Sequence, residues 1–164
     1  MINDLHLLIR RELGAVRREL EAYPDDDSVW RAVPAMPNVG GTLALHLVGN
    51  LRHFFGGILG KDGYTRDRDA EFARRGVSRA ELLRGIDAAL ESVDRGMKRV
   101  TDADLVAPFP EPIAKRRVST GVFLTHLATH LAYHLGQIDY HRRAVTQDGR
   151  GIDAVSVREL PEIP

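Results

Sequence analysis

Apolar residues recur at helical spacing in four stretches of the chain, and no stretch alternates in the manner of a strand. The first runs from about Asn3 to Ala22. Leu5, Ile9, Leu13, Val16 and Leu20 share one face of it, with arginines and glutamates opposite, until "YPDDD" ends the pattern. The second follows "PNVGG" and covers about Thr42 to Leu59. The third opens at Ser78, where Glu81 completes a capping box in which each side chain satisfies a backbone N–H. Leu82, Leu83, Ile86, Leu90, Val93, Met97 and Val100 then keep the helical period. The fourth runs from about Ser119 to Gln147, where "DGRG" breaks it, and the tail "IDAVSVRELPEIP" suits either a short strand or a segment lying along the surface.

Each of these stripes must be buried against another, which predicts an all-α fold, a four-helix bundle. The connections 23–41, 60–78 and 101–118 far exceed the roughly 2 to 8 residues that join helices in a plain up-down bundle. They allow a crossover topology and the mouth of a pocket. A chain of 164 residues without repeats or low-complexity segments is expected to form one domain, 1–164.

Lys plus Arg and Asp plus Glu number 23 each, so no net charge calls for nucleic acid or an anionic membrane as partner. The charged runs "RDRDAEFARR" and "AKRRV" read as solvated loop surface. There is no cysteine, which excludes disulfides, a thiolate nucleophile and Cys-zinc sites, so a metal must be held by nitrogen and oxygen. The first twenty residues carry charge every few positions, unlike a signal peptide or a span, and a cytoplasmic protein is expected.

Four of the seven histidines fall in "THLATHLAYHLGQIDYH", residues 125–141. His130 and His134 stand one turn apart on one face, so both imidazoles reach a single ion. His126 lies one turn earlier, but the outer pair of the three is about 12 Å apart along the axis, so one ion takes only two of them. The second helix carries a matching stripe, with His46, Asn50 and His53 beside the apolar arc of Leu47, Val48, Leu51, Phe54, Phe55 and Ile58. If the two core faces pack together, the stripes meet inside the bundle and His46 or His53 supplies a third nitrogen. Three protein ligands with an open fourth position is the catalytic zinc pattern. Spacing alone does not establish a metal, because a solvated polar stripe and hydrogen-bonded packing histidines produce it too.

"GTLALHLVGNLRHFF" and "HLATHLAYHLGQID", with the approach "VWRAVPAMPNVGGTLALH", resemble the DinB/YfiT-like superfamily of metalloenzymes. Its members carry a first histidine on helix two and H-x-x-x-H followed by R-G-Q on the last long helix. The resemblance implies His46, His130 and His134 as ligands, with His126 outside the coordination sphere. Where the family has arginine after the last histidine, this chain has Leu135, so the arginine's contact is lost while coordination survives. The resemblance also implies a homodimer. Its characterised branches include mycothiol-dependent maleylpyruvate isomerases and bacillithiol transferases, and other members are described as metal-dependent hydrolases or damage-inducible proteins.

Several chemistries are absent. The chain has no H-E-x-x-H, no Glu-x-x-His, no C-x-x-C-H, no G-x-S-x-G and no P-loop. The three-histidine set that the resemblance implies would hold a divalent ion, zinc or nickel, activating water or a low-molecular-weight thiol against a small electrophilic substrate. Asn50, His53, His126 and Gln137 are candidates to orient a ligating imidazole or to bind substrate; no general base is assigned. Two other readings stand beside this one: a bundle acting as a binding or stress-response module without chemistry, and bis-histidine haem binding between the stripes.

Overall fold

The computed structural model describes residues 1–162, and among them the regular structure is helical, with no strand. In chain order the helices are α1 (Ile2–Glu21), α2 (Asp26–Val29), α3 (Gly40–Leu51), α4 (Arg68–Ala73), α5 (Arg79–Met97) and α6 (Thr120–Thr146). The four expected stripes are α1, α3 with its continuation, α5 and α6. The short α2 and α4 lie inside two of the long connections.

α1 packs against α5 and α6, and α3 packs against the same two, so α1 and α3 stand diagonally across the bundle. The chain therefore crosses the bundle after α1 and again after α5, which accounts for the length of those connections. The buried faces are the expected ones: Ile9, Leu13, Val16 and Leu20 of α1, Leu82, Ile86 and Val93 of α5, and Leu124, Leu127, Leu131, Leu135 and Ile138 of α6. Each fully buried aliphatic side chain contributes about 1.5–3 kcal/mol. Leu135 sits in this core at 1 % exposure, where an arginine would have no water to reach.

The second stripe is not one uniform α-helix. It starts at Gly40, and from Arg52 to Leu59 it continues as a π-helix. Its end is marked by the Gly60 amide donating to the Phe55 carbonyl at 2.8 Å. α5 comes so close at Gly96 that a Cβ there would lie 2.4 Å from the Phe55 carbonyl oxygen.

Only half of the capping box forms. Ser78 accepts from the Glu81 amide at 3.2 Å, while the Glu81 carboxylate turns outward to Arg74 at 2.8 Å. Among its described residues the tail contains a 3-10 turn, Val157–Glu159, and no strand. Arg18 of α1 ties it down by donating to the Ile152 and Asp153 carbonyls and to the Glu159 carboxylate.

Two buried polar links join α1 and its following loop to α6. Arg142 donates to the carboxylates of Glu19 and Asp139. Burial pushes the Glu19 carboxyl up to about 7 in spite of that arginine. The Tyr23 hydroxyl donates to His141 Nδ1 at 2.7 Å, and His141 Nε2–H donates to the Arg31 carbonyl at 2.9 Å. Both nitrogens of His141 are thereby engaged in structure. Among the described residues no helix is long and apolar enough to cross a membrane.

Candidate metal centre

Because α3 packs on α6, the two histidine stripes face each other. His46 of α3 and His130 and His134 of α6 each offer a ring nitrogen, all within 4.8 Å of one another. His130 Nε2 lies 3.3 Å from His46 Nε2 and 3.1 Å from His134 Nε2. A tetrahedral ion with zinc–nitrogen bonds of about 2.0–2.1 Å sets its ligand nitrogens about 3.4 Å apart, so these separations fit such an ion closely.

The far nitrogens determine which way the lone pairs point. His46 Nδ1–H donates to Glu71 Oε2 at 3.0 Å, and His134 Nδ1–H donates to Gln137 Oε1 at 2.6 Å. Each of these rings is thus held with a bare Nε2 aimed at the centre. Arg66 Nη2 also comes within 3.3 Å of His46 Nδ1, but its better acceptors are the two Glu71 oxygens, which it grips at 2.6 and 2.8 Å. His130 Nδ1 is buried without a partner.

Protonation favours the same arrangement. Burial, and then the neighbouring His134 and His46, push His130 down to about 4. Burial also lowers His134, partly offset by the Gln137 hydrogen bond. Burial pushes the Glu71 carboxyl up, but hydrogen bonds from Arg66 and His46 outweigh it and hold Glu71 below the usual range. At neutral pH His130 and His134 are therefore neutral, and His46 is backed by a carboxylate whose charge Arg66 offsets.

Of the other candidates, Gln137 bonds to the triad directly. His126 is exposed and lies against it, its ring 6.0 Å from that of His130 and stacked on Phe123. Asn50 is buried on α3 and makes no hydrogen bond to the triad. His53 points elsewhere, its Nε2 donating to Glu111 at 3.2 Å and its ring packed on Phe54.

Glu71 and Arg66 carry no functional signal in their own stretch, where "RDRDAEFARR" reads as solvated loop. Those residues instead contain α4, capped by Asp67 and folded over His46, with Glu71 only 6 % exposed and the Phe72 ring 5.0 Å from the His46 ring. The signal for them lay on the neighbouring helix. Gly49 leaves bare backbone one turn from His46, and Glu71 occupies that space so fully that a Cβ on Gly49 would stand 2.0 Å from Glu71 Oε1.

The sequence profile of the mycothiol S-transferase family matches residues 4–147. Searches of curated proteins and of solved structures returned no match. The profile reaches from the first turn of α1 to the end of α6 and includes all three clustered histidines, and by it the chain belongs to the mycothiol S-transferase family, a DinB/YfiT-like family.

Proposed function

We propose that the protein is a metal-dependent thiol S-transferase, in which His46, His130 and His134 hold one divalent ion, zinc or nickel, and a low-molecular-weight thiol is the co-substrate. The observation that carries this reading is the convergence of three imidazole nitrogens, two with tautomers fixed by Glu71 and Gln137. The chain has no cysteine, so the reacting sulfur must come from outside.

When bound, the ion supplies undiminished positive charge, since no ligand is anionic, and so favours the thiolate form of an incoming thiol. The thiol gives its proton to solvent, its sulfur bonds to the electrophilic carbon, and the leaving group departs with the electrons of the broken bond. The chain's part is to hold the triad rigid through Glu71, Arg66 and Gln137. Phe72, packed on His46, and His126, beside His130, border the triad as contact surface for the small-molecule substrate.

The same reading takes the whole chain as one cytoplasmic domain and as a homodimer. The outer face of α6 supports the dimer: no charged residue occurs from Ser119 to Ile138, and Val122, Tyr133 and Tyr140 are exposed on it. Sedimentation of the untagged protein measures this directly.

The decisive experiment is elemental analysis of untagged wild type and His134→Ala, followed by turnover of a haloalkyl dye with and without mycothiol. About one metal per chain in wild type, none in the variant and thiol-dependent dye conjugation are expected. Metal in neither protein favours the binding module. Metal with ester cleavage and no need for thiol favours hydrolysis.

A further inference from the structure

Arg52 breaks a rule that the other shielded arginines obey. Among the described residues, every other buried or half-buried arginine meets a carboxylate, as Arg11 meets Glu12, Arg66 meets Glu71 and Arg142 meets Glu19. Arg52 is half-buried at the start of the π segment and has neither an ion pair nor a hydrogen bond. Its Nε is shut off from solvent without an acceptor. Its guanidinium is fixed over the Tyr64 ring, 4.1 Å from the centroid. A guanidinium without an acceptor is left poorly satisfied, so the geometry is one that an acceptor would relieve.

Arg52 and Tyr64 form part of the wall of a cavity of about 370 Å³ between α3, α4 and α5. Leu45, Val48, Leu82 and Gly85 give it apolar surface. The carboxylates that line it are all engaged: Asp67 caps α4, Glu71 holds Arg66 and His46, and Glu81 holds Arg74. Arg84, exposed on α5 and also lining the cavity, has no such engagement. The cavity thus combines an apolar body with two uncommitted guanidinium groups and no uncommitted acid.

We infer that this cavity binds a small organic carboxylate, with its apolar part against Leu45, Val48 and Leu82 and its carboxylate between Arg52 and Arg84. A planar carboxylate matches the guanidinium fork, and the volume falls in the range of about 300–1,000 Å³ usual for small-molecule sites. Inorganic phosphate satisfies the arginines but leaves the apolar surface wet, so a carboxylate with an apolar body uses more of the site. The site goes beyond the thiol-transfer reading and does not rest on it. Glu71 is the one residue common to the cavity and the metal centre.

Benzoate is the probe, titrated into isotopically labelled protein of the full chain and followed by amide chemical shifts. Saturable shifts are expected at Gly49, Tyr64 and Gly85. Benzamide, of the same shape without the charge, and inorganic phosphate should each bind at least about tenfold more weakly. Arg52→Gln and Arg84→Gln should each weaken benzoate by about tenfold, while Arg117→Gln, in an exposed loop, leaves it unchanged. Because Arg84 is exposed, its variant keeps the fold and carries the test even if Arg52→Gln unfolds. The inference is overturned if wild type shows no saturable shift, if benzamide or phosphate matches benzoate, or if a folded arginine variant binds as wild type does.

Discussion

Replacing Gly49 by alanine adds one methyl group to the middle of α3, and helix propensity alone would make the protein about 1 kcal/mol more stable. The environment of Gly49 reverses that sign. The new Cβ would lie 2.0 Å from Glu71 Oε1 and 2.6 Å from its carboxyl carbon, where real contacts do not fall below 3.0 Å, so the carboxylate must retreat by about 1 Å. The 3.0 Å bond from His46 Nδ1 then stretches to about 4 Å and ceases to be a hydrogen bond. The Arg66 pair, 14 % and 6 % exposed, is loosened by the same movement. A buried carboxylate that loses one hydrogen bond without full solvation costs about 1–3 kcal/mol, which matches or outweighs the propensity gain. Loss of a ligand's hydrogen-bond partner lowers metal affinity by about 10- to 100-fold. Urea denaturation of the metal-free protein reads the first effect, and competition with a chromophoric chelator reads the second. A Gly49→Ala protein that is more stable than wild type and holds metal equally well would refute the role assigned to Glu71.

Other outcomes follow from the same geometry. His130 is pushed down to about 4 from 6.5, so the unfolded chain binds more protons between those values. Its contribution is complete above pH 6.5 and is lost as pH falls through 4; this removes up to about 3 kcal/mol from the metal-free protein, and His130→Gln should flatten that slope in pH-dependent urea midpoints. Parallel profiles for the two proteins would contradict it. Glu19 has the opposite sign: raised to about 7 from 4.5, it contributes stability below pH 4.5 that disappears as pH rises through 7. Glu19→Gln, with Asp139 still facing Arg142, should therefore match or exceed wild-type stability at pH 8; a large loss there would mean the buried ion pair is net stabilising. Leu135→Arg, the family's usual residue, should unfold the protein or drive it into the insoluble fraction, because the side chain at that position is sealed in the core.

The four helices and their buried faces were legible because burial of an amphipathic stripe is written into its period: all five apolar positions of the last stripe, Leu124 to Ile138, are in the core. That the two histidine stripes face each other was legible for the same reason, since polar stripes bordering packed faces must meet, while the choice of His46 over His53 came from the family resemblance alone. The π segment was not. It lies where Gly96 of α5 meets the Phe55 carbonyl, a contact between residues far apart in the chain. His53 shares the His46 stripe on a helical wheel but stands two turns along it, roughly 10 Å up the axis, where its Nε2 meets Glu111. Glu71 and Arg66 were illegible as partners because a charged residue is buried only when a specific mate and a specific void are present. They are each other's mate within one charged run, but the void that receives Glu71 comes from Gly49 on another helix.

The helix that holds Glu71 is only six residues long and joins the bundle chiefly through α3. Short elements with few packed neighbours open locally far more often than the domain unfolds. The hydrogen-bond partner of His46 therefore sits on a short element, while His130 and His134 stand on the 27-residue α6. Exchange of an ion at this centre would be timed by the breathing of residues 68–73, with the two α6 imidazoles keeping their grip while the third is freed. Such a centre can hold its ion tightly at equilibrium and still trade it on the timescale of a loop.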